Sequence, residues 1–169
     1  MRSGRTDTLG VDIGGVIVRL TDYSEDDGPR GELRHREMPG ARAALQRLRD
    51  ERFGDAVYLV SKCGAQTEAT IKRSLVDTGF CDDTGLGLDH VFFCRQRHEK
   101  APICELIGVT HFVDDRLEVL SHLGSVPHRY LFDGRPDEIR PYAHVLPAVT
   151  PVGDWASLVD LLLGPLSST

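Results

Sequence analysis

Short apolar runs alternate with helical patterns along this chain. Five runs are rich in Val, Leu, Phe and Tyr and show little polar alternation: Thr8–Val11, Ala56–Val60, His90–Phe93, His111–Val113 and Arg129–Phe132. Such a run is typical of a strand that is buried on both faces of a sheet. We therefore predict five buried strands.

Five helices are predicted between and after these runs. Apolar residues recur in them at helical spacing, and Gly, Pro or Asp residues mark several ends. The predicted helices are Ala41–Asp50, Gln66–Val76, Glu99–Ile107, Arg116–Leu123 and Asp154–Leu163. Strands and helices that alternate in this way predict a parallel sheet with right-handed crossovers. The expected fold class is α/β: a three-layer, Rossmann-like fold with a parallel five-stranded sheet and helices on both faces.

One segment does not follow this alternation. Nine of the seventeen residues from 21 to 37 are charged, and the segment lacks an apolar stripe. Such a composition is typical of a solvated loop or hairpin. A loop of this length inside a compact domain is often functional, and this one directly follows the first strand.

Composition narrows the classes of protein to consider. The chain has 169 residues, 40% of them apolar, which suits one globular domain over residues 1–169. Its formal charge of −6 argues against a nucleic-acid partner but allows a small anionic substrate in a locally positive pocket. No apolar run approaches the roughly 20 residues that a membrane helix needs. With no targeting segment visible, we expect a cytoplasmic location.

Polar residues stand where several of the predicted strands end. Asp12 follows the first strand, Ser61 and Lys62 the second, and Asp114 and Asp115 the fourth. The carboxyl ends of parallel strands open on one edge of a sheet, and ligands bind there. A lysine at position 100 opens a helix on the same edge. We therefore expect these side chains to meet in one crevice.

This set of residue types suits phosphoryl transfer. A carboxylate can attack phosphorus and form an aspartyl-phosphate, which splits one difficult step into two. Because the incoming phosphate dianion repels that carboxylate, a cation must lie between them, and Mg²⁺ prefers oxygen ligands of this kind. A lysine and a hydroxyl can stabilise the remaining phosphoryl oxygens. Glycines after Asp12 let the backbone approach the phosphoryl group closely.

The same residues resemble the four sequence motifs of the haloacid dehalogenase-like superfamily. Val11–Val16 is similar to the first motif, Leu59–Ser61 to the second, Lys100 to the third and Phe112–Asp115 to the fourth. Order and spacing agree, and the resemblance covers nearly the whole chain. It implies a Mg²⁺-dependent phosphatase that acts on a phosphomonoester, either a small molecule or a phosphorylated macromolecule.

The resemblance also implies a role for each acidic residue. Asp12 is expected to be the nucleophile and a magnesium ligand, with the carbonyl of Gly14 as a second ligand. Asp115 is expected to bind the metal directly, and Asp114 through water or by orienting the site.

Further residues are expected to hold the substrate. The resemblance implies that Ser61 and Lys100 hold the phosphoryl oxygens. Gly14, Gly15 and Lys62 are predicted to contact the substrate beside them.

The chain departs from the family pattern at one catalytic position. Family phosphatases usually carry a second aspartate two residues after the nucleophile, as general acid and base, whereas this chain has Gly14. General acid–base catalysis contributes roughly 10²–10⁴-fold to a rate. Three explanations are possible. In the first, another residue transfers the proton, with His98, Glu99 or a carboxylate of segment 21–37 as candidates. Otherwise the leaving group needs little protonation, or the activity is weak. Alternatives are therefore a non-catalytic or regulatory binding module and a phosphotransferase.

Larger members of the superfamily carry an inserted cap domain, and this chain resembles a cap-less member. The charged segment 21–37 would then be a short flap over an open site, with Tyr23 and Arg30 as candidate substrate contacts. An open site also suits closure by a second subunit, and so a homodimer. Arg95 and Arg97 are candidates for recognising a second anionic group, or else serve surface solubility.

Overall fold

Six parallel strands form one sheet in the computed structural model, which describes residues 6–19 and 37–165. The strands are β1 (Leu9–Val11), β2 (Val57–Lys62), β3 (Val91–Cys94), β4 (His111–Asp114), β5 (His128–Phe132) and β6 (Thr150–Val152). Their spatial order is β3-β2-β1-β4-β5-β6. The predicted parallel α/β class is confirmed, with β1 and β4 at the centre.

The predicted number of strands is wrong by one. The sixth strand, β6, has three residues, and its Val152 pairs with Phe132 of β5 at the edge of the sheet. A proline, Pro151, occupies its centre, and proline in a strand is confined to such edge positions because it donates no ladder hydrogen bond. So short a strand lacks the apolar run by which the other five were predicted.

Seven α-helices cover the sheet within the described residues. They are α1 (Ala41–Leu48), α2 (Ala65–Asp77), α3 (Phe80–Thr84), α4 (Lys100–Ile107), α5 (Leu117–His122), α6 (Pro136–Ile139) and α7 (Trp155–Leu163). The five predicted helices are present, whereas the short α3 and α6 were not predicted. A π-helical turn, Arg49–Phe53, continues α1, and 3₁₀ turns cover Leu88–His90, Arg97–Glu99 and Arg140–Ala148.

The helices lie on both faces of the sheet. The buried residues of α1, α2, α3 and α7 share one apolar cluster with the sheet, and those of α4 and α5 share a second cluster. Gly10 in β1 makes the second face possible, because a Cβ atom there would lie 2.6 Å from the ring of Phe112 in β4. The central strands thus separate two apolar layers, which confirms the predicted three-layer arrangement.

The register of the central strands sets where their polar ends lie. Val11 of β1 pairs with Leu59 of β2 and with Val113 of β4. The residue after Val11, Asp12, therefore lies beside Asp114, and its backbone N–H donates to the Val113 carbonyl at 2.9 Å.

The segment between Ser61 and Lys100 belongs to the sheet and its helical layers. It holds α2, α3 and β3 with two 3₁₀ turns, and Ile71, Leu75 and Phe80 of its helices are buried against the sheet. The predicted flap lies outside the described residues except for its last residue, Glu37, so Tyr23 and Arg30 lie outside them too. None of the helices that the structure describes has the length and apolar character to span a bilayer.

Candidate functional site

A buried lysine joins two aspartates at the carboxyl edge of the sheet. Lys100, at the first turn of α4, lies with its Nζ 2.9 Å from Asp12 Oδ1 and 2.8 Å from Asp114 Oδ2. The lysine side chain is only 2% exposed. The prediction that these three residues meet in one crevice agrees with this geometry.

Backbone N–H groups fix both carboxylates in place. The Ile13 N–H donates to Asp12 Oδ1 at 2.9 Å, and the Arg116 N–H donates to Asp114 Oδ1 at 2.9 Å. Both donors belong to the turns that follow β1 and β4. Each carboxylate is therefore oriented by the chain reversal that comes directly after its own strand.

A third carboxylate completes an acidic cluster. Ligand oxygens of Asp12, Asp114 and Asp115 all lie within 4.8 Å of one another. Asp115 Oδ1 is buried and has no hydrogen-bond partner among the described residues. A buried polar atom without a partner costs free energy, so this oxygen fits a bound cation. An all-oxygen set of carboxylates suits Mg²⁺, and the residues present therefore fit the metal that the sequence predicts.

Electrostatic repulsion within the cluster shows in its pKa values. Burial, with repulsion from the Asp12 and Asp114 carboxylates, raises the pKa of Asp115 to about 8. Burial and the nearby Asp114 likewise raise the pKa of Asp12 to about 6. Burial opposes the charge of Lys100, but the two carboxylates beside it outweigh burial and raise its pKa. One ammonium thus offsets part of the repulsion, and a cation at Asp115 would offset more.

Gly15 is required by the position of Asp115. Its φ of +81° lies in the left-handed region, and a Cβ atom at this position would stand 2.2 Å from Asp115 Oδ2. Any side chain here would therefore displace the Asp115 carboxylate. Gly15, which was predicted to contact substrate, lies against Asp115 and does not line the cavity described next.

A cavity of about 200 Å³ opens over the lysine and its two aspartates. Of the predicted site residues it is lined by Asp12, Gly14, Ser61, Lys62, Lys100 and Asp114. Ser61 is buried at the end of β2, and Lys62 is exposed at the rim. Most of the predicted site thus faces one shared space, with Asp115 behind it.

Sequence reasoning missed two charged residues of the lining, Arg19 and Arg116. Arg116 follows Asp115 directly and precedes α5. It stands one residue beyond the two aspartates that mark the end of β4, so the same strand-end signal extends to it. Arg19 has no such signal, because it follows an apolar stretch in the loop after β1.

Two candidates for the missing general acid, Glu99 and His98, lie away from the cavity. Glu99 Oε1 accepts hydrogen bonds from the backbone N–H groups of Gln96 (2.7 Å) and Arg95 (3.2 Å), and so caps its own turn. His98 is exposed, and its ring faces His122 at 6.4 Å between centroids. Neither Glu99 nor His98 lines the cavity. The carboxylates of segment 21–36 lie outside the described residues.

The two arginines that were candidates for anion recognition differ in position. Arg97 lines the cavity and pairs with Glu118 at 2.5 Å. Arg95 instead pairs with Glu68 at 3.4 Å, donates to the Cys63 carbonyl at 3.0 Å, and does not line the cavity.

Comparison with known proteins places the fold. No protein-family model matches the chain, and no curated protein sequence matches it. A protein of Burkholderia xenovorans described as a haloacid dehalogenase-like hydrolase has a similar structure, with a TM-score of 0.66, 15% identity, and coverage of 92% of this chain and 96% of its own. D,D-heptose 1,7-bisphosphate phosphatase from Burkholderia thailandensis is also similar, with a TM-score of 0.51, 16% identity, and coverage of 95% of this chain and 100% of its own. The predicted resemblance is thereby confirmed for the fold: the chain has the fold of the haloacid dehalogenase-like superfamily.

Proposed function

We propose that this chain is a Mg²⁺-dependent phosphatase that hydrolyses a phosphomonoester through an aspartyl-phosphate on Asp12. The observation that carries the proposal is the buried contact of Lys100 with Asp12 and Asp114 beneath a cavity. Support at the level of the fold comes from the two similar structures, a hydrolase and a phosphatase.

Asp12 is poised to act as the nucleophile. Among the described residues, both hydrogen bonds to its carboxylate, from Lys100 and from the Ile13 N–H, fall on Oδ1. We therefore assign the attack on phosphorus to Oδ2. A pKa of about 6 leaves most of the Asp12 carboxylate ionised at pH 7, as a nucleophile must be.

The other site residues would hold the phosphoryl group and the metal. Bound Mg²⁺ would supply charge that offsets the repulsion between the substrate dianion and the carboxylates. Asp12, Asp114 and Asp115 would hold it, with the Gly14 carbonyl as the further ligand implied by the resemblance. The Ser61 hydroxyl and the ammonium groups of Lys62 and Lys100 would stabilise the phosphoryl oxygens as charge spreads over them.

The reaction then has two displacements. Asp12 Oδ2 forms a bond to phosphorus while the bond to the leaving oxygen breaks, and that oxygen keeps the electron pair and takes a proton from solvent. Water next attacks the phosphorus of the aspartyl-phosphate, releases phosphate, loses its proton to solvent and restores Asp12. Gly14 has no side chain to transfer either proton, so substrates with acidic leaving groups should react fastest.

Phosphate release from a panel of phosphomonoesters tests the proposal. The panel contains p-nitrophenyl phosphate, anomeric and non-anomeric sugar phosphates, nucleotides and phosphopeptides. We expect release that requires both Mg²⁺ and Asp12, and that is faster for better leaving groups. Release that persists in Asp12→Asn at the wild-type rate would exclude Asp12 as nucleophile.

Gly14 also favours two alternative functions. One is a phosphotransferase, and the other is a regulatory module that retains the site. Without a base beside it, the aspartyl-phosphate would be long-lived and could pass its phosphoryl group to an alcohol or sugar. A phosphoenzyme that is discharged only when such an acceptor is added would establish the transferase. Metal binding without any phosphorylation of Asp12 would establish the regulatory module.

The cellular setting follows from the sequence and stays a prediction. We expect a cytoplasmic location, a phosphorylated substrate and no nucleic-acid partner, and an open site suits a homodimer. We also retain the single domain over residues 1–169, with residues 21–37 as its flap.

A further inference from the structure

The cavity concentrates positive charge in an acidic chain. Five of its lining residues are cationic and two are anionic, whereas the whole chain has a formal charge of −6. The cationic residues are Arg19, Lys62, Arg97, Lys100 and Arg116. Two anchoring groups, Lys62 and Lys100, are already assigned to the reacting phosphate. The arginines are therefore in excess of what one phosphate needs.

Two of these arginines are held in place from outside the cavity. Arg97 Nη1 donates to Glu118 Oε2 at 2.5 Å, and Arg116 Nη1 donates to Glu138 Oε1 at 2.5 Å. Neither glutamate lines the cavity. A third arginine, Arg135, also pairs with Glu138 and so steadies it. Because each carboxylate restrains its partner, the two guanidinium groups lose less conformational entropy when they bind a ligand.

Each guanidinium retains donors for a ligand. In the described part of the chain, Arg97 and Arg116 each use only Nη1 in a side-chain hydrogen bond. Their side chains are 35% and 27% exposed, so the remaining donors can meet a molecule that enters the cavity. An arginine fork matches the oxygens of a phosphate with two parallel hydrogen bonds.

We propose that the substrate is a small bisphosphate, whose second phosphate binds Arg97 and Arg116 while the first reacts at Asp12. This inference rests on the proposed function, because it takes the reacting phosphate to lie at Asp12. Arg97 precedes α4 and Arg116 precedes α5, so both arginines reach the cavity from turns beside Lys100 and Asp114. The two arginines then determine specificity.

Binding to Asp12→Asn tests the inference without turnover. Calorimetry in Mg²⁺ compares propanediol bisphosphate and hexanediol bisphosphate, two flexible probes of different span, each with its monophosphate. We expect at least one bisphosphate to bind about tenfold or more tightly than its monophosphate, since hydrogen bonds to charged groups are among the stronger ones in proteins. Adding Arg97→Gln or Arg116→Gln should reduce that preference several-fold, and Arg97→Lys should retain part of it.

A matched control lies two residues away. Arg95→Gln also removes a guanidinium from the loop before α4, but Arg95 does not line the cavity. The preference for bisphosphate over monophosphate should therefore stay near that of Asp12→Asn alone. Thermal melting checks that each variant is folded. The ratio of kcat/KM for bisphosphate to that for monophosphate, measured in the wild type and in both arginine variants, gives a second readout that does not need Asp12→Asn.

The outcomes separate this inference from the proposed function. Equal affinity for bisphosphate and monophosphate, or an equal loss in Arg95→Gln and Arg97→Gln, would overturn the second-phosphate site even if Asp12-dependent hydrolysis is found. Preferential binding that depends on both arginines, with no hydrolysis of any phosphomonoester, would keep the binding site and refute the phosphatase.

Discussion

The central strand β4 carries a buried ionisable residue at each end, and the two ends differ in how these residues are satisfied. At the amino end, both ring nitrogens of His111 have partners: Nδ1 lies 2.8 Å from Thr110 Oγ1, and Nε2 lies 3.4 Å from Arg52 Nη2. At the carboxyl end, Asp114 belongs to a cluster of three carboxylates in which Asp115 Oδ1 has no partner among the described residues.

The amino end is a closed network. Arg52 donates to Asp7 at 2.8 Å and to the Leu162 carbonyl at 2.6 Å, while His128 stacks on His111 at 4.4 Å between ring centroids. Burial, with His128 and Arg52 nearby, lowers the pKa of His111 to about 4. The neutral imidazole therefore accepts from Arg52 through Nε2, which assigns its proton to Nδ1 and thus a donor toward Thr110.

This difference separates stability from function within one sheet. The amino end satisfies its polar groups with protein partners and so contributes to folding. The carboxyl end holds like charges together, at a cost in stability, in a form that a cation and an anionic substrate can satisfy. Four perturbations test this contrast.

Removal of the buried ammonium should have the largest effect. Lys100→Met leaves Asp12 and Asp114 buried without their shared cation, and breaking a buried ion pair typically costs about 3–5 kcal/mol of stability. Phosphatase activity should fall by a factor of roughly 10² or more, because charge on the phosphoryl oxygens loses a donor. Urea unfolding and phosphate release measure the two effects. For stability the control is Lys62→Met, at an exposed lysine, and an equal loss there would contradict the account.

A methyl group at Gly15 should disturb Asp115, the proposed metal ligand beside it. Gly15→Ala combines an unfavourable positive φ with a clash against Asp115, whereas Gly108→Ala has a similar φ of +79° and no atom within 4 Å of the new Cβ. The control should lose about 1 kcal/mol for its backbone, and Gly15→Ala roughly 1–3 kcal/mol more. Only Gly15→Ala should also weaken Mg²⁺ binding measured by calorimetry. Equal Mg²⁺ affinity in the two variants would show that Asp115 is not a ligand.

Added Mg²⁺ should stabilise the protein more as the pH rises. The pKa values of Asp12 and Asp115, about 6 and about 8, lie above the ordinary aspartate value. Without metal, the folded state therefore binds more protons than the unfolded state below pH 8, and stability falls as pH rises through this window. A cation binds the ionised carboxylates, so the gain in Tm should grow from pH 6 to pH 8, by a few degrees in order of magnitude.

The variant Asp115→Asn sharpens this test. It removes the carboxylate with the higher pKa. Without metal, stability should therefore fall less between pH 6 and pH 8 than in the wild type. Most of the gain in Tm on adding Mg²⁺ should also be lost. Asp89→Asn changes an exposed aspartate and serves as the matched control. A gain in Tm that is independent of pH, or that survives in Asp115→Asn, would place the metal elsewhere.

The smallest effect is expected at the amino end of β4, where stability should rise with pH instead of falling. The pKa of His111, about 4 when folded, lies below its ordinary value, so the unfolded state binds the extra proton and stability falls as pH is lowered from 6.5 toward 4. After allowance for solvent screening, the loss is on the order of 1–2 kcal/mol. His111→Phe should flatten this slope in urea unfolding, and the exposed His144→Phe should not. Parallel pH profiles of wild type and His111→Phe would refute the closed network.

The sequence predicted the carboxyl end of the sheet better than the amino end. A buried strand appears in the sequence as an apolar run, and a polar residue at its end is easily recognised. The sequence alone therefore predicts Asp12, Ser61 and Asp114 at one edge of the sheet. The network at the amino end joins Arg52 to His111, 59 residues apart, and no local pattern marks such a pair.

Short elements were also missed, for physical reasons. The edge strand β6 has three residues with a proline at its centre, and α3 and α6 have five and four residues. Elements this short carry too few residues to show a period, and tertiary packing decides whether they form. The start of α7, by contrast, has a local signal, because Asp154 is an N-cap residue whose Oδ1 accepts from the Ser157 N–H at 2.8 Å.

Chemical trapping of the phosphorylated residue shows whether Asp12 forms a covalent intermediate. The protein is mixed with p-nitrophenyl phosphate and Mg²⁺, quenched and treated with borohydride, which reduces an aspartyl-phosphate to homoserine. The peptides are then sequenced by mass spectrometry. We expect homoserine at position 12 alone, dependent on Mg²⁺ and absent from Asp12→Asn. Steady turnover with an unmodified Asp12, or with the phosphoryl group on another residue, would contradict this expectation.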